Sequence, residues 1–327
     1  MQTRLGLATA DGFLLYERNG DAWRRVRHAL AGQHITSVIA REGVILVGTR
    51  AGVLRSDDEG ATWRNSSAGL TTPYVRWLAY HPDISDREFA GTEPAGIFIS
   101  HDGAESWRGC AEVAQLRDQH EWFLPYSAGA GCVRGFAFHG MRAYAAVEVG
   151  GVLRSDDSGE TWQLVEGSDG NPDLDGPPEP FIYPDVHSIH VHPSSCELVF
   201  APTGGGFYRS TNGGQTWTLS YDCYARAVWL DPDDAQHLIL GPADGVDADG
   251  RIEETHDGGK TWQPASQGLQ APWRQHMVER FVSHDAEIFA VLSNGELLRA
   301  PLPTLEWRRI LPAVGGINAV AVIEWSS

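Results

Sequence analysis

Three short segments of this chain place an arginine at the same point of a shared pattern: V-R-W-L (75–78), V-R-G-F (133–136) and A-R-A-V (225–228). Four more segments fit the pattern with other polar residues: I-T-S-V (35–38), V-H-S-I (186–189), V-E-R-F (278–281) and I-N-A-V (317–320). The polar members are Thr36, Arg76, Arg134, His187, Arg226, Glu279 and Asn318. A guanidinium presents a planar fork of donors that matches a carboxylate or a phosphate. Arg76, Arg134 and Arg226, if they converge, would therefore hold an anionic group, with His187 able to move a proton beside them.

A second aligned set follows each of these segments: G-T-R-A-G, G-T-E-P-A-G, A-V-E-V-G-G, A-P-T-G-G-G, G-P-A-D-G and V-L-S-N-G, with A-T-A-D-G near the N-terminus. Its polar members are Arg50, Glu93, Glu148, Thr203, Asp244, Ser293 and Asp11. Three units thus couple an arginine to an acid: Arg76 with Glu93, Arg134 with Glu148, and Arg226 with Asp244. These couples read equally as ion pairs that do no more than hold local structure.

Two carboxylates flanking a bond are what glycoside hydrolysis needs. Glu93, Glu148, Asp185, Asp244 and Glu279 supply candidates without a motif that selects a pair; Glu93, Glu148 and His187 are the candidate catalytic residues. D-V-H-S-I-H-V-H-P (185–193) raises metal binding. Alternation along a strand puts Asp185 and His187 on one face, with His190 and His192 on the other. His276 or Glu279 could complete a set around Asp185 and His187, but no recognised ligand spacing occurs. Neither a metal nor a cofactor is expected. Cys132 and Cys223 just precede their segments and read as small buried residues.

Residues so far apart in sequence meet only if their segments are arranged around a common axis. The chain repeats in the way this requires. R-S-D-D-E-G-A-T-W (55–63) returns as R-S-D-D-S-G-E-T-W (154–162), beside S-H-D-G-A-E-S-W (100–107), S-T-N-G-G-Q-T-W (210–217) and T-H-D-G-G-K-T-W (255–262). Worn copies end at Trp23 and Trp307. The seven closing tryptophans are spaced 40, 44, 55, 55, 45 and 45 residues apart. Each unit reads as four short strands with turn signals between them, which is the content of a propeller blade. The shared motif falls in the hairpin between the third and fourth strands. There Asp58, Asp102, Asp157, Asn212 and Asp257 can accept backbone N–H bonds, and glycine supplies the left-handed position.

The pattern S-x-D-x-G-x-T-W resembles the Asp-box, or BNR repeat. The resemblance covers nearly the whole chain and implies a β-propeller akin to sialidases, sortilin-type domains, Asp-box glycosidases and photosystem II assembly factors. In that superfamily the box is structural and lies away from the ligand face. The sialidase pattern of six blades and an Arg-Ile-Pro tripeptide is not met here.

The expected fold is all-β: one seven-bladed propeller over 1-327. Its blades are approximately 1-30 plus 314-327, 31-70, 71-112, 129-168, 183-221, 222-267 and 275-312. The first unit offers three strands, and G-I-N-A-V-A-V-I-E-W (316–325) supplies its fourth, so that the two termini close the ring and leave no free edge.

Inner-strand starts and second-to-third strand turns then share one face, the mouth of the central channel. The mouth is expected at the second to fifth blades counted from the complete unit 31-70. The long connections 108–131 and 163–184 rise over it, and Trp122 and Tyr183, with Phe123, Tyr126 and Phe181, are candidate stacking surfaces.

Formal net charge is −18, with 25 Lys and Arg against 43 Asp and Glu. Such a surface repels phosphate backbones and anionic lipid, so neither a nucleic acid nor a membrane is an expected partner. The N-terminal residues do not read as a signal peptide, and four cysteines without a framework suit a cytoplasmic setting. The expected function is binding, or binding and transformation, of a small polar or anionic molecule at the channel mouth. Alternatives are a non-catalytic protein-interaction scaffold and a glycosidase acting on acidic sugars.

Overall fold

A computed structural model describes residues 3–311 and 314–323. Seven four-stranded antiparallel sheets stand around an axis as a β-propeller. Blade 1 is composite: its innermost strand, Ile317–Ile323, pairs antiparallel with Arg4–Thr9, followed outward by Gly12–Asn19 and Ala22–Ala29. The expected closing segment extends to 325, and its last two residues lie outside the described residues.

The innermost strands of blades 2 to 7 are Ile35–Arg41, Val75–Tyr80, Cys132–His139, His190–Val191, Tyr224–Leu230 and Val278–His284. One element departs from the all-β expectation. The connection after blade 3 folds as a helix over Ala111–Gln119, whose run A-E-V-A-Q-L-R-D-Q is made largely of strong helix formers. Among the described residues no helix is long and apolar enough to cross a membrane.

The apolar core is divided among the blade interfaces. Seven buried clusters each join two neighbouring blades: Phe89, Ile97 and Ile99 of blade 3 meet Val133, Ala145 and Trp162 of blade 4. Leu5 and Leu7 of blade 1 meet Phe289 and Val291 of blade 7. Both faces of every sheet are therefore covered, and strand interiors read as nearly unbroken apolar runs such as V-I-L-V (44–47).

The repeated hairpin is a hydrogen-bonded knot. In blade 4, Asp157 Oδ1 accepts from the Thr161 amide at 2.9 Å and the Ser155 hydroxyl at 2.7 Å, while Oδ2 accepts from the Thr161 hydroxyl at 2.7 Å. Asp58, Asp102 and Asp257 repeat these contacts. Asn212 keeps the amide bond at 3.0 Å and donates to Thr216 Oγ1 instead. Gly159 sits at φ +86°, and a Cβ there would lie 2.2 Å from the Phe89 ring of the preceding blade, so turn geometry and packing both exclude a side chain. Trp162 covers the hairpin and donates to Gly159 O at 3.0 Å.

Slight burial tends to raise the Asp157 carboxyl, but the Thr161 and Ser155 hydroxyls and the Thr161 amide hold it below the usual aspartate range. Its folded pKa is below its unfolded value, so its contribution is complete above about pH 4 and lost as pH falls through the depressed value. Asp157→Ala should lower stability by about 1 kcal/mol, the low end for hydrogen bonds in an exposed setting. Asp157→Asn, which copies Asn212, should stay near wild type at neutral pH and flatten the loss of Tm below pH 4. Thermal melts from pH 2 to 7 check both.

Candidate functional site

Each innermost strand has one residue more than its partner at the same level. The register passes from Val75↔Thr92 to Trp77↔Gly91, leaving Arg76 unpaired. In the same way it skips Thr36, Arg134, Glu279 and Asn318, and Arg226 lies inside the corresponding break of blade 6. In blade 5, Val186 bridges Thr203, and the ladder resumes only at His190↔Phe200, with His187 in the break. The aligned polar position is thus a β-bulge in every blade, a device that re-aims a side chain and frees its neighbour's backbone.

The freed carbonyls are taken by the preceding blade. Thr36 Oγ1 donates to Val75 O at 2.6 Å, Asn318 Nδ2 to Ile35 O at 2.7 Å, and His187 Nδ1 to Ala225 O at 2.8 Å. The next residue does likewise: Ser188 Oγ donates to Arg226 O at 2.9 Å and Arg280 Nε to Asn318 O at 3.2 Å.

The arginines point inward. Arg76, Arg134, Arg226 and Arg280 line one cavity of about 270 Å³ at the mouth, with Glu279 and Tyr74. A second cavity of about 360 Å³ continues along the channel and shares Arg134, Arg226, Glu279 and Arg280. These four residues form the waist between the two.

Arg76 is bonded to Glu93, whose other oxygen accepts from Ser127. Arg134 donates to Glu148 Oε2 at 3.0 Å. Arg226 does not meet Asp244. It pairs with Glu279 of the next blade and rests on the Tyr224 hydroxyl, 2.9 Å from Nη2. Asp244 opens a turn through Ala248 that carries it outward, and there it binds Arg251 at 2.9 Å.

Among the described residues Arg280 has no carboxylate partner. Its guanidinium lies 3.8 Å over the Trp77 ring. Burial, then the neighbouring charges of Arg134, Arg226 and Arg76, lower its pKa to about 9, opposed by Glu279, and it stays cationic at neutral pH. Arg280 was not expected from the aligned position, which it follows by one residue. The available signal was that V-E-R-F is the one aligned segment with a charge in third place.

The proposed proton-transfer residues Glu148 and His187 do not line this cavity. Glu148 is 4% exposed. Oε1 accepts from Tyr126 Oη at 2.6 Å, and Oε2 accepts from Arg134 and from the Cys132 thiol at 3.2 Å. Burial pushes its pKa up, but Arg134, His187, Tyr126 and Cys132 hold it down to about 2, so it remains an anion and is no proton donor at neutral pH. Burial and Glu148 push the Cys132 thiol well up, which makes it inert.

His187 is also buried. Nδ1 must donate to the Ala225 carbonyl, and Nε2 faces Asp185 Oδ2 at 3.1 Å and the Tyr224 hydroxyl at 3.3 Å. Ligating atoms of Glu148, Asp185 and His187 lie within 4.8 Å of one another, and Asp185 Oδ1 is buried without a hydrogen-bond partner among the described residues. Both Glu148 oxygens are already engaged and a guanidinium adjoins them, so the set does not suit a cation. His276 takes no part: it stacks on Trp273 at 5.2 Å in another cavity.

Two expected stacking surfaces are structural. Trp122 is 3% exposed within the core between blades 3 and 4 and donates to Gly170 O at 2.9 Å, tying one long connection to the other. Tyr183 lies against Gly205 and donates to Leu174 O at 2.9 Å, pinning its own loop. Phe123 and Tyr126 remain exposed, Tyr126 to 58%. His192 is buried between blades 5 and 6, 2.8 Å from Asp231 O, and His190 borders the lower cavity.

Comparison with known proteins follows the fold. The BNR/Asp-box repeat model matches residues 208–219. An oligoxyloglucan-reducing end-specific xyloglucanase of Emericella nidulans is 25% identical over 230 residues, covering 58% of this chain and 27% of that protein. Among solved structures, an ancestral GH74 enzyme matches 90% of this chain and 38% of its own with TM-score 0.62 at 19% identity. YCF48 bound to D1 peptide matches 88% and 87% with TM-score 0.56 at 14% identity. The chain spans about a quarter of the length of the curated relative, and likeness at these identities to solved structures establishes architecture alone. With its closed ring of seven blades the chain is a β-propeller, and its repeated hairpins include one that matches the BNR/Asp-box repeat.

Proposed function

We propose that the mouth binds the anionic group, carboxylate or phosphate, of a small polar molecule. The observation that carries this reading is the charge balance of the site. Four guanidinium groups line it against three paired carboxylates, and Arg280 is left over in a protein of net charge −18. A largely desolvated cation without a carboxylate to neutralise it is costly to keep, even where a carbonyl and an aromatic face contact it. An incoming anion supplies the missing partner, and the ion pairs around it hold the other guanidiniums in place at no further ordering cost. The waist position lets the ligand's acidic end reach Arg280 while its remainder stays towards the mouth. Neither Glu148 nor His187 lines the cavity, which favours binding over acid–base catalysis. The four unpaired thiols support a cytoplasmic setting for such a protein.

A second reading, glycoside hydrolysis, is favoured by the low-identity xyloglucanase relatives and by the proximity of Glu148 and Asp185. It requires a raised carboxyl as acid, and Glu148 is held in the opposite sense.

Removing a half-buried cation that has no carboxylate partner should stabilise the free protein, whereas breaking a pair should not. Arg280→Met is expected to raise the Tm of the free protein and abolish stabilisation by phosphate or by di- and tricarboxylates. Arg134→Ala, which strands Glu148, is expected to cost about 3 kcal/mol. Differential scanning fluorimetry with each probe checks both, and an anion response that survives Arg280→Met refutes the reading. Turnover of xyloglucan oligosaccharides or of a chromogenic acidic glycoside, lost in Asp185→Asn, would establish the second reading. No turnover is expected.

A further inference from the structure

The outer part of blade 6 differs from that of blade 4. Three strand-edge positions hold an arginine and aspartate cluster in blade 4. In blade 4 they are Arg142, Arg154 and Asp156, with Asp156 2.8 Å from Arg142 and 2.7 Å from Arg154. In blade 6 the equivalent positions, fixed by Ala143↔Ser155 and Leu238↔Thr255, hold His237, Glu254 and His256. His256 lies inside the repeated hairpin motif, directly before Asp257. Pairing across the two strands stacks the imidazoles at 4.4 Å and 13°, with Glu254 between their ring nitrogens.

We propose that His237 Nε2, Glu254 Oε2 and His256 Nε2 form a site for a divalent transition cation of the zinc class. Glu254 Oε2 is 3.6 Å from His237 Nε2 and 3.5 Å from His256 Nε2, and the three atoms lie within 4.8 Å of one another. Ligand atoms at about 2.0–2.1 Å from a tetrahedral ion stand roughly 3.3–3.4 Å apart, and the exposed His256 ring must turn out of its stack on His237 for both Nε2 lone pairs to meet one ion.

The surroundings fit ligation better than a charge-reversed copy of the blade 4 cluster. Asp231 Oδ2 accepts from His237 Nδ1 at 2.9 Å, which fixes the proton on Nδ1 and turns the Nε2 lone pair into the site. Nε2 is buried and, among the described residues, has no hydrogen-bond partner. The Gln263 amide donates to Glu254 Oε1 at 3.0 Å, leaving Oε2 free to ligate. This is the carboxylate–histidine arrangement that orients a metal ligand, with a second support on the carboxylate. His256 is 56% exposed, so the ion enters from solvent and keeps a fourth position open to water. The site lies apart from the channel and does not depend on the anion-binding reading.

The test uses untagged, chelator-treated full-length protein titrated with Co²⁺ and Zn²⁺. One equivalent of Co²⁺ should bind with the visible absorption of a tetrahedral ion, Zn²⁺ should displace it, and Zn²⁺ should raise Tm. His256→Ala, an exposed change that leaves the hairpin's Asp257 contacts intact, should weaken binding at least tenfold and abolish the Tm response, and Glu254→Gln should do the same. Asp185→Asn, in the other acid–histidine cluster, should leave both unchanged. Absence of a tetrahedral Co²⁺ spectrum, or binding that survives His256→Ala, overturns the proposal.

Discussion

Space at the axis of a seven-bladed ring is taken up by one surplus residue in each innermost strand. The surplus breaks the ladder at a single level, so every blade loses a backbone partner at the same height. An unpaired buried carbonyl is costly, and short polar side chains of the preceding blade repair the loss. The same break turns the bulged side chains towards the channel. Circumferential hydrogen bonding and a ring of inward polar groups are therefore two consequences of one backbone irregularity, repeated.

What differs between blades is which residue occupies the bulge. Threonine, asparagine and histidine are short enough to reach the neighbouring carbonyl, and in three blades they do. The three arginines are too long for that task and project further into the channel, where each needs a carboxylate. Two find theirs in the second-to-third strand turn of their own blade, and Arg226 finds Glu279 in the next. These pairs account for the buried acids at the mouth, including a glutamate held down to about 2. Since Glu279 is spent on Arg226, Arg280 is left on the Trp77 face. A functional site that breaks a local rule of charge satisfaction is where a ligand would be expected to restore it.

The fold was legible because each blade carries its own copy of the same hairpin, and its tryptophan spacing survives even where the box is worn. The ring of polar positions was legible for the same reason. The partners of those residues were not. Analogy with Arg76 and Arg134 points Arg226 to Asp244, but the turn from Asp244 to Ala248 breaks the analogy and a residue from another blade supplies the acid. Strict alternation along a strand hides Arg280, because a bulge shifts the register by one and lets consecutive residues face the channel. Trp122 and Tyr183 show a different limit: an aromatic in a long connection can stack on a ligand or pin the loop, and only packing decides. The helix at Ala111–Gln119 had a readable composition that the repeat pattern overshadowed.

Bromide is an anion whose position can be read directly by anomalous diffraction. Crystals of the free protein briefly soaked in bromide should show an anomalous peak within hydrogen-bonding distance of Arg280 at the waist of the channel. Bromide found only at the outer surface, with the waist unlabelled, would contradict the account.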